Sequence, residues 1–538
     1  MSAPTRVESH PDAGRVDDRS GPVGPGWLVA AGWVTLVVVL AALLVRYWNG
    51  PPYSPDSWGY YELSRHLGAD FFHIDGWRSY QSTAPYGMSF GPLWPVLIGL
   101  TAAVTRTGPH AALVAATGCV LATAGVLSVL GRRFGVRALG PVVAVGLLGF
   151  PPYVDEVLSG RTFPLAGLLL SLLLLALVTA ARRPGWAGPA AGAAAAGIVL
   201  TRPDTLLAVA LLAVLVIVAR RRHWRGLLAA GLVFAVLMVP WAIYGLAHFG
   251  TPFVADNRLV ASAVPPLHIL DFFPDVSQVP TVADDPVGWL ARVGRNLPPV
   301  ATQAVLAGLD APTVVATALA GLLLLRRGLA LRGERRWLLP GLGTLAAFTV
   351  QVLSAELTTG YPYPRYLSLV VLIVLVMAIG LISRAPAPAR LAGRRTGTAV
   401  AVALLALPAG WALGHQFSTV PPRPDYLTGG AVEQELRRCH ADTTLTMSDG
   451  RLAGLHAALT GRRTAVFPRN FADLPVAARR EWLVRYGVGQ LYVPPLPPDT
   501  DPLVVKMTTD ALPLIAGAAR VTPDPCATLG RSYRVSVD

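Results

Sequence analysis

The residues best suited to chemistry in this 538-residue chain are acids and arginines gathered at the ends of apolar runs. Asp56, Glu62, Asp155, Glu156, Arg161, Arg202, Asp204, Glu356 and Arg365 all stand at such ends, and none lies clearly inside a run. A carboxylate so placed can take a proton from an attacking hydroxyl. An arginine presents a planar fork that grips phosphate through paired hydrogen bonds. Asp56 has the most defined setting, in Ser54-Pro55-Asp56-Ser57-Trp58-Gly59-Tyr60-Tyr61-Glu62-Leu63-Ser64-Arg65-His66-Leu67-Gly68. Ser54 suits a helix N-cap, Pro55 the first helical position and Gly68 the stop. Asp56 then lies in the first turn, with Tyr60 on its face and Leu63 and Leu67 continuing an apolar side. A helix-start acid also suits the helix dipole without any chemistry.

The elements that must hold these residues are set by composition. The chain is 53% hydrophobic and 14% charged, where a soluble domain carries about 25% charged residues. Trp27–Val45, Ala111–Leu130, Pro164–Ala181, Gly226–Gly245 and Tyr366–Ser383 contain no Asp, Glu, Lys or Arg. Each is long enough to cross a ~30 Å hydrocarbon layer as a helix, and none alternates as a barrel strand would. The net charge of +14 comes from arginines between these runs, which argues for orientation signals and against a nucleic-acid partner. Five clusters (Arg132/Arg133/Arg137, Arg182/Arg183, Arg220/Arg221/Arg222/Arg225, Arg326 to Arg336, Arg384 to Arg395) fit the cytoplasmic side. They predict a polytopic α-helical membrane protein with about eleven transmembrane helices: 27–46, 110–131, 138–153, 163–181, 186–201, 204–219, 226–246, 311–326, 337–355, 366–384 and 397–416. Residues 1–26 read as a disordered cytoplasmic tail, and 27–417 as the transmembrane domain with long outer loops 47–109 and 247–310. Phe90–Val104, which carries Pro92 and Pro95, reads as a helix in the outer interface.

Residues 418–538 change character and read as a small extracytoplasmic α/β domain. Thr443–Met447, Thr464–Phe467 and Gln490–Val493 suggest strands, with helices over Ala431–Arg438 and Ala477–Tyr486. Ser448-Asp449-Gly450 reads as a polar turn after the first strand. Cys439 and Cys526 both fall in this region, where oxidising conditions predict a disulfide between them, while Cys119 falls in a span.

The Asp56 segment resembles the first outer loop of the GT-C superfamily, membrane glycosyltransferases that use lipid-phosphate-linked sugars. The likeness is to the branch with protein O-mannosyltransferases and the lipid A aminoarabinose transferase. Pro85-Tyr86-Gly87, Gly91-Pro92-Leu93-Trp94-Pro95, Leu200-Thr201-Arg202-Pro203-Asp204 and Tyr363-Pro364-Arg365-Tyr366-Leu367 are similar to recurrent segments of those enzymes, and the likeness covers about residues 27–416. Several relatives carry an Asp-Glu pair where this chain has Asp56-Ser57, which leaves open a second carboxylate from Asp155 or Glu156. The resemblance implies an inverting glycosyltransferase moving a sugar from a polyprenyl-phosphate donor to an extracytoplasmic acceptor, a cell-envelope glycan, lipid or protein. Asp56 would be the catalytic base, Arg202, Arg365 and Arg161 the donor-phosphate binders, and Tyr60, Asp155 and Glu156 positioning groups, in a multi-pass protein of the plasma membrane. No cofactor is required. A divalent metal held by His268 and Asp271 with Asp56 is the weaker option, and Phe272, Phe273 and Trp289 suit stacking on sugar or lipid, or anchoring a loop. The rival readings are a lipid-linked-sugar flippase or transporter, which needs polar groups along a path through the bilayer, and a non-catalytic membrane scaffold.

Overall fold

The computed structural model describes residues 26–67, 91–133, 135–180, 184–220, 224–249, 257–268, 278–309, 331–360, 363–382, 394–422, 430–495 and 502–537, with a few isolated positions besides. Most of it is an assembly of apolar helices. Helices Gly26–Tyr47, Ala111–Arg133, Phe163–Thr179, Pro184–Thr201, Leu206–Arg220, Trp224–Phe249, Leu331–Thr359, Ser368–Ile382 and Arg394–Thr419 match expected spans. The span expected at 311–326 lies almost wholly outside the described residues, as do residues 1–25 and Pro85-Tyr86-Gly87. By length and apolarity alone, four described helices can cross a membrane, or five if one bent pair counts as a single span. The expected helix 138–153 is that pair: Leu139–Leu148 and Pro151–Leu158 meet at 90°. Gly149 interrupts the first helix, and Pro151 and Pro152 open the second because neither needs an amide donor there.

Packing separates helices that face lipid from those that face the site. On Trp224–Phe249, Leu228, Leu232, Val236, Val239 and Ile243 recur every three or four residues and are all at least half exposed. An apolar stripe of that kind is at home only against hydrocarbon. The opposite side of the same helix meets Pro184–Thr201 so closely that a Cβ on Gly188 or Gly192 would strike the backbone of Gly226 or Ala230. Small residues four apart let two membrane helices touch backbone to backbone. Ala111–Arg133, Leu139–Leu148 and Ser368–Ile382 lie inside, with Leu127, Val143, Val145, Leu148, Leu372 and Ile373 buried. Leu93–Thr105 has 13 residues, too few to span.

The C-terminal residues form one five-stranded sheet in the order β2-β1-β3-β5-β4. These are β1 Thr444–Met447, β2 Thr464–Val466, β3 Val488–Val493, β4 Arg520–Asp524 and β5 Arg531–Ser536. β1 runs parallel to β2 and β3, while β5 is antiparallel to β3 and β4. The expected helices appear as Gly430–Cys439 and Val476–Arg485. The turn expected at Ser448-Asp449-Gly450 instead opens the helix Gly450–Thr460, with Asp449 Oδ1 accepting from the Leu452 amide at 3.3 Å.

Two devices lock the Gly430–Cys439 helix to the turn before β5. The Cys439–Cys526 disulfide has formed, with Cα atoms 5.5 Å apart, and a link closing a loop this long is worth at most about 4–5 kcal/mol in the chain-entropy model. Buried Glu435 accepts from the amides of Thr528, Leu529 and Gly530 at 2.6–3.0 Å and from the Tyr492 hydroxyl at 2.9 Å. Behind the same helix, His440 Nδ1 meets His456 Nε2 at 2.7 Å, and His456 Nδ1 meets Glu433 at 2.9 Å.

These groups make the sheet region acid-sensitive. Burial pushes His440 down to about 4, against the Thr443 carbonyl that favours its charged form. Burial would raise Glu435, but its hydrogen bonds outweigh that and bring it down to about 2. Between their ordinary and folded values the unfolded chain binds more protons, so stability falls as pH drops. His440 acts from about pH 6.5 down to 4, and Glu435 from about 4.5 down to 2. The urea midpoint at which β1 and β3 lose hydrogen-exchange protection should therefore be flat above pH 7 and fall steadily below 6.5. A midpoint unchanged between pH 7 and 4 would contradict these shifts.

Candidate active site

The Asp56 helix begins as its sequence requires. Ser54 is extended (φ −96°, ψ 171°), and the Pro55–Arg65 helix starts after it. The Ser57 amide donates to Ser54 Oγ at 3.4 Å, and the Ser54 amide donates to Ser57 Oγ at 3.0 Å. This is a reciprocal capping box in which serine stands where a glutamate usually reaches back. Ser57 is 1% exposed, so the position where the resemblance led to the expectation of a second acid is given to building the helix. The helix ends at Arg65 with His66 as its cap, short of Gly68, which lies outside the described residues.

Asp56 faces Arg365, with Oδ2 3.7 Å from Nη1. Arg365 comes from the Tyr363-Pro364-Arg365-Tyr366 turn, some three hundred residues away, and its Nη1 also lies 4.0 Å from Glu156 Oε1. Pro364 opens this turn, and the Glu356 carboxylate accepts from the Tyr363 amide. The guanidinium lies 4.8 Å from the Tyr363 ring centre and 5.8 Å from that of Tyr366. Glu156 is 1% exposed and pairs with Arg161 Nε at 3.0 Å. Arg161 in turn binds Asp155 and donates to Ser159 Oγ. Asp155 is the solvent-facing member, 46% exposed.

Arg202 forms the other wall. It pairs with Asp204 at 2.7 Å, donates to Thr162 Oγ1 at 3.1 Å, and lies 4.0 Å from the Phe163 ring centre and 5.0 Å from that of Tyr366. Gln351 holds this turn by donating to the Asp204 carbonyl at 2.9 Å. Tyr60 is buried between the two walls, hydrogen-bonded to Thr162 and within reach of the charges on Asp56 and Arg202. Burial, with the Asp56 charge behind it, pushes its phenol up, so Tyr60 stays a neutral hydrogen-bond donor. The aromatic segment completes the frame. A Cβ on Gly91 would strike the Leu200 carbonyl, and Trp94 Nε1 donates to the Gly160 carbonyl at 2.9 Å, so this segment is wedged between the Arg161 and Arg202 turns.

All seven expected residues (Asp56, Tyr60, Asp155, Glu156, Arg161, Arg202 and Arg365) thus converge. Thr162, Phe163, Tyr363 and Tyr366 belong with them and were missed, although Thr162 and Tyr366 directly flank a singled-out arginine. His268 and Asp271 do not join Asp56: Asp271 Oδ2 accepts from the His268 amide at 2.7 Å, and Phe272 is buried in the core of the sheet region. The Phe272 amide donates to Asn470 Oδ1 and its carbonyl accepts from Asn470 Nδ2. Trp289 donates to the Ala261 carbonyl at 2.9 Å, and Phe273 lies outside the described residues. Phe272 and Trp289 therefore anchor the segments that carry them. No group of three or more metal-ligating side chains occurs among the described residues.

No family model matches the chain, and no curated protein is similar to it in sequence. Solved structures do match. ArnT from Cupriavidus metallidurans in the apo state superposes with a TM-score of 0.57 at 16% identity, over 94% of this chain and 98% of that one. The same protein bound to undecaprenyl phosphate gives 0.54 at 15% identity, with the same coverage. The oligosaccharyltransferase AglB from Archaeoglobus fulgidus, in complex with an inhibitory peptide and a dolichol-phosphate, gives 0.54 at 12% identity, over 86% and 69%. Another AglB structure is a complex with zinc and sulfate. The arabinofuranosyltransferase AftD from Mycobacteria gives 0.53 at 16% identity, over 95% of this chain and 40% of that larger one. At such identities the likeness is one of fold, and that fold is the one shared by the GT-C glycosyltransferases.

Proposed function

We propose that the chain is an inverting glycosyltransferase of the plasma membrane, transferring a sugar from a polyprenyl-phosphate donor to an acceptor outside the cytoplasm. The observation that carries this reading is the meeting of Asp56 with Arg365 and Glu156 beside the Arg202 wall. It sets a carboxylate base against a cationic pocket, in a fold whose neighbours include complexes with undecaprenyl phosphate and dolichol-phosphate. In the reaction an acceptor hydroxyl oxygen attacks the anomeric carbon and passes its proton to Asp56. The bond from that carbon to the phosphate oxygen breaks, and the lipid phosphate leaves as an anion, so no general acid is needed. Arg365 and Arg202 balance the leaving charge, and Tyr60 donates a hydrogen bond to it. Arg161, already bound to Asp155, Glu156 and Ser159, contributes by holding Glu156 against Arg365. The sheet-containing unit lies on the extracytoplasmic side in this reading, consistent with its disulfide.

The test is the lipid extract of a deletion strain. One polyprenyl-phosphate sugar should accumulate, one envelope glycan, lipid or protein should lose that sugar, and a plasmid copy should restore both. An unchanged pool of lipid-linked sugars together with unchanged envelope glycans would sink the proposal.

A further inference from the structure

The Pro55–Arg65 helix has two working faces. At about 100° per residue, Tyr60 returns to within about 40° of Asp56, whereas Trp58 and Arg65 point about 160–180° away. The site lies on the first face. On the second lies the Gly450–Thr460 helix of the sheet-containing unit. Trp58 is 1% exposed and shares a buried cluster with Tyr53, Leu455 and Ala458. A Cβ on Gly454 would sit 3.1 Å from Trp58 Cβ, so the two helices approach more closely than a larger residue would allow without a shift. Arg65 Nη1 donates to the Ala458 carbonyl. The Tyr53 hydroxyl donates to the Pro109 carbonyl at 2.8 Å, tying the same cluster to the helix that begins at Ala111.

We infer that the C-terminal unit is a positioning element of the reaction. Its Gly450–Thr460 helix sets the rotation and height of the Asp56 helix from behind, with Gly454, Trp58 and Arg65 as the positioning residues. None of the three touches Asp56, Arg365 or Arg202 in any contact described above. The physical basis is that, among the described residues, the Gly450–Thr460 helix packs directly behind Trp58 and Arg65, while a base misplaced by about 1 Å can cost 10²-fold in rate. The inference rests on Asp56 being the base.

The variants are Gly454→Ala, Gly454→Val and Arg65→Met, made in the full chain. Transfer is measured with the polyprenyl-phosphate sugar that accumulates in the deletion strain, and binding is measured with decaprenyl phosphate. The expected result is a graded fall in kcat, a few-fold for Gly454→Ala and about tenfold or more for Gly454→Val. KM for donor and decaprenyl-phosphate affinity should stay within about twofold, and the Cys439–Cys526 disulfide should stay oxidised. Hydrogen exchange supplies a readout independent of transfer: it should rise in the 55–65 peptide of Gly454→Val and Arg65→Met and stay unchanged in β1 and β3. Wild-type kcat in Gly454→Val, or unchanged exchange at 55–65 in both variants, overturns the inference. If Gly454→Val does not accumulate, Gly454→Ala and Arg65→Met decide by the same criteria. A wild-type protein that transfers no sugar counts against the glycosyltransferase reading alone, and exchange at 55–65 still decides the positioning role.

Discussion

Replacing Asp56 with asparagine should lower sugar transfer by about 10²–10⁴-fold, the usual cost of losing a general base. Decaprenyl-phosphate binding should change by no more than a few-fold. The local structure makes this a clean substitution. The helix is started by Ser54 and Ser57 rather than by Asp56, and asparagine keeps the size of the side chain. Arg365 keeps Glu156 as a partner. If Asp56 were only a helix-start acid, its loss would cost ~0.3–1 kcal/mol of helix stability and nothing in rate. Folded protein with transfer within a few-fold of wild type would remove Asp56 from the mechanism and pass the role to Asp155 or Glu156. Asp155 would be tested first, because it is 46% exposed while Glu156 is buried.

Replacing Arg365 with alanine should weaken both donor binding and transfer. Removing one partner of a largely desolvated, hydrogen-bonded charge pair costs about 2–5 kcal/mol, or roughly 30-fold and upward in affinity. The same change removes the cation between Asp56 and Glu156, so two carboxylates then face the donor phosphate. Arg365→Lys keeps the charge but not the planar fork, and should recover part of the binding and less of the rate. The measurement is the affinity for decaprenyl phosphate beside kcat/KM for transfer. Affinity unchanged in Arg365→Ala would assign the phosphate to Arg202 alone.

The site was legible because its parts are short and local. A serine-proline start with an acid in the first turn reads as a helix whatever surrounds it, and the structure has that helix within three residues of its expected end. The arginines stood out because they sit at helix ends remote from the other basic clusters. What joins them was not legible. Arg161 spends its hydrogen bonds on Asp155, Glu156 and Ser159, a partnership set by the bend at Gly149 and Pro151, and apolarity alone ran one helix through that bend. β4 and β5 escaped notice because they alternate weakly: β4 is mostly exposed, and β5 buries only Ser532 and Val535. Phe272 reads in the sequence as an aromatic for stacking on sugar or lipid or for anchoring a loop, and only its docking onto Asn470 shows that it anchors from within the core of the sheet region.

The contact between Arg65 and Ala458 bridges 393 positions of sequence, and this has a consequence for the order in which the protein comes to life. Closing so long a loop adds little to its thermodynamic cost, because that cost grows only with the logarithm of length. It is nevertheless late, since a ribosome delivers Ala458 393 positions after Arg65. The support itself waits longer still, because Glu435 finds its amide donors only at Thr528, Leu529 and Gly530, and β3 pairs with β5, which follows them. A chain released before β5 would thus carry Asp56 and the arginines without the rear support inferred above. On the reading proposed above, competence to transfer sugar would arrive only once β5 has been made, which turns a long-range packing contact into a check that the sheet is whole.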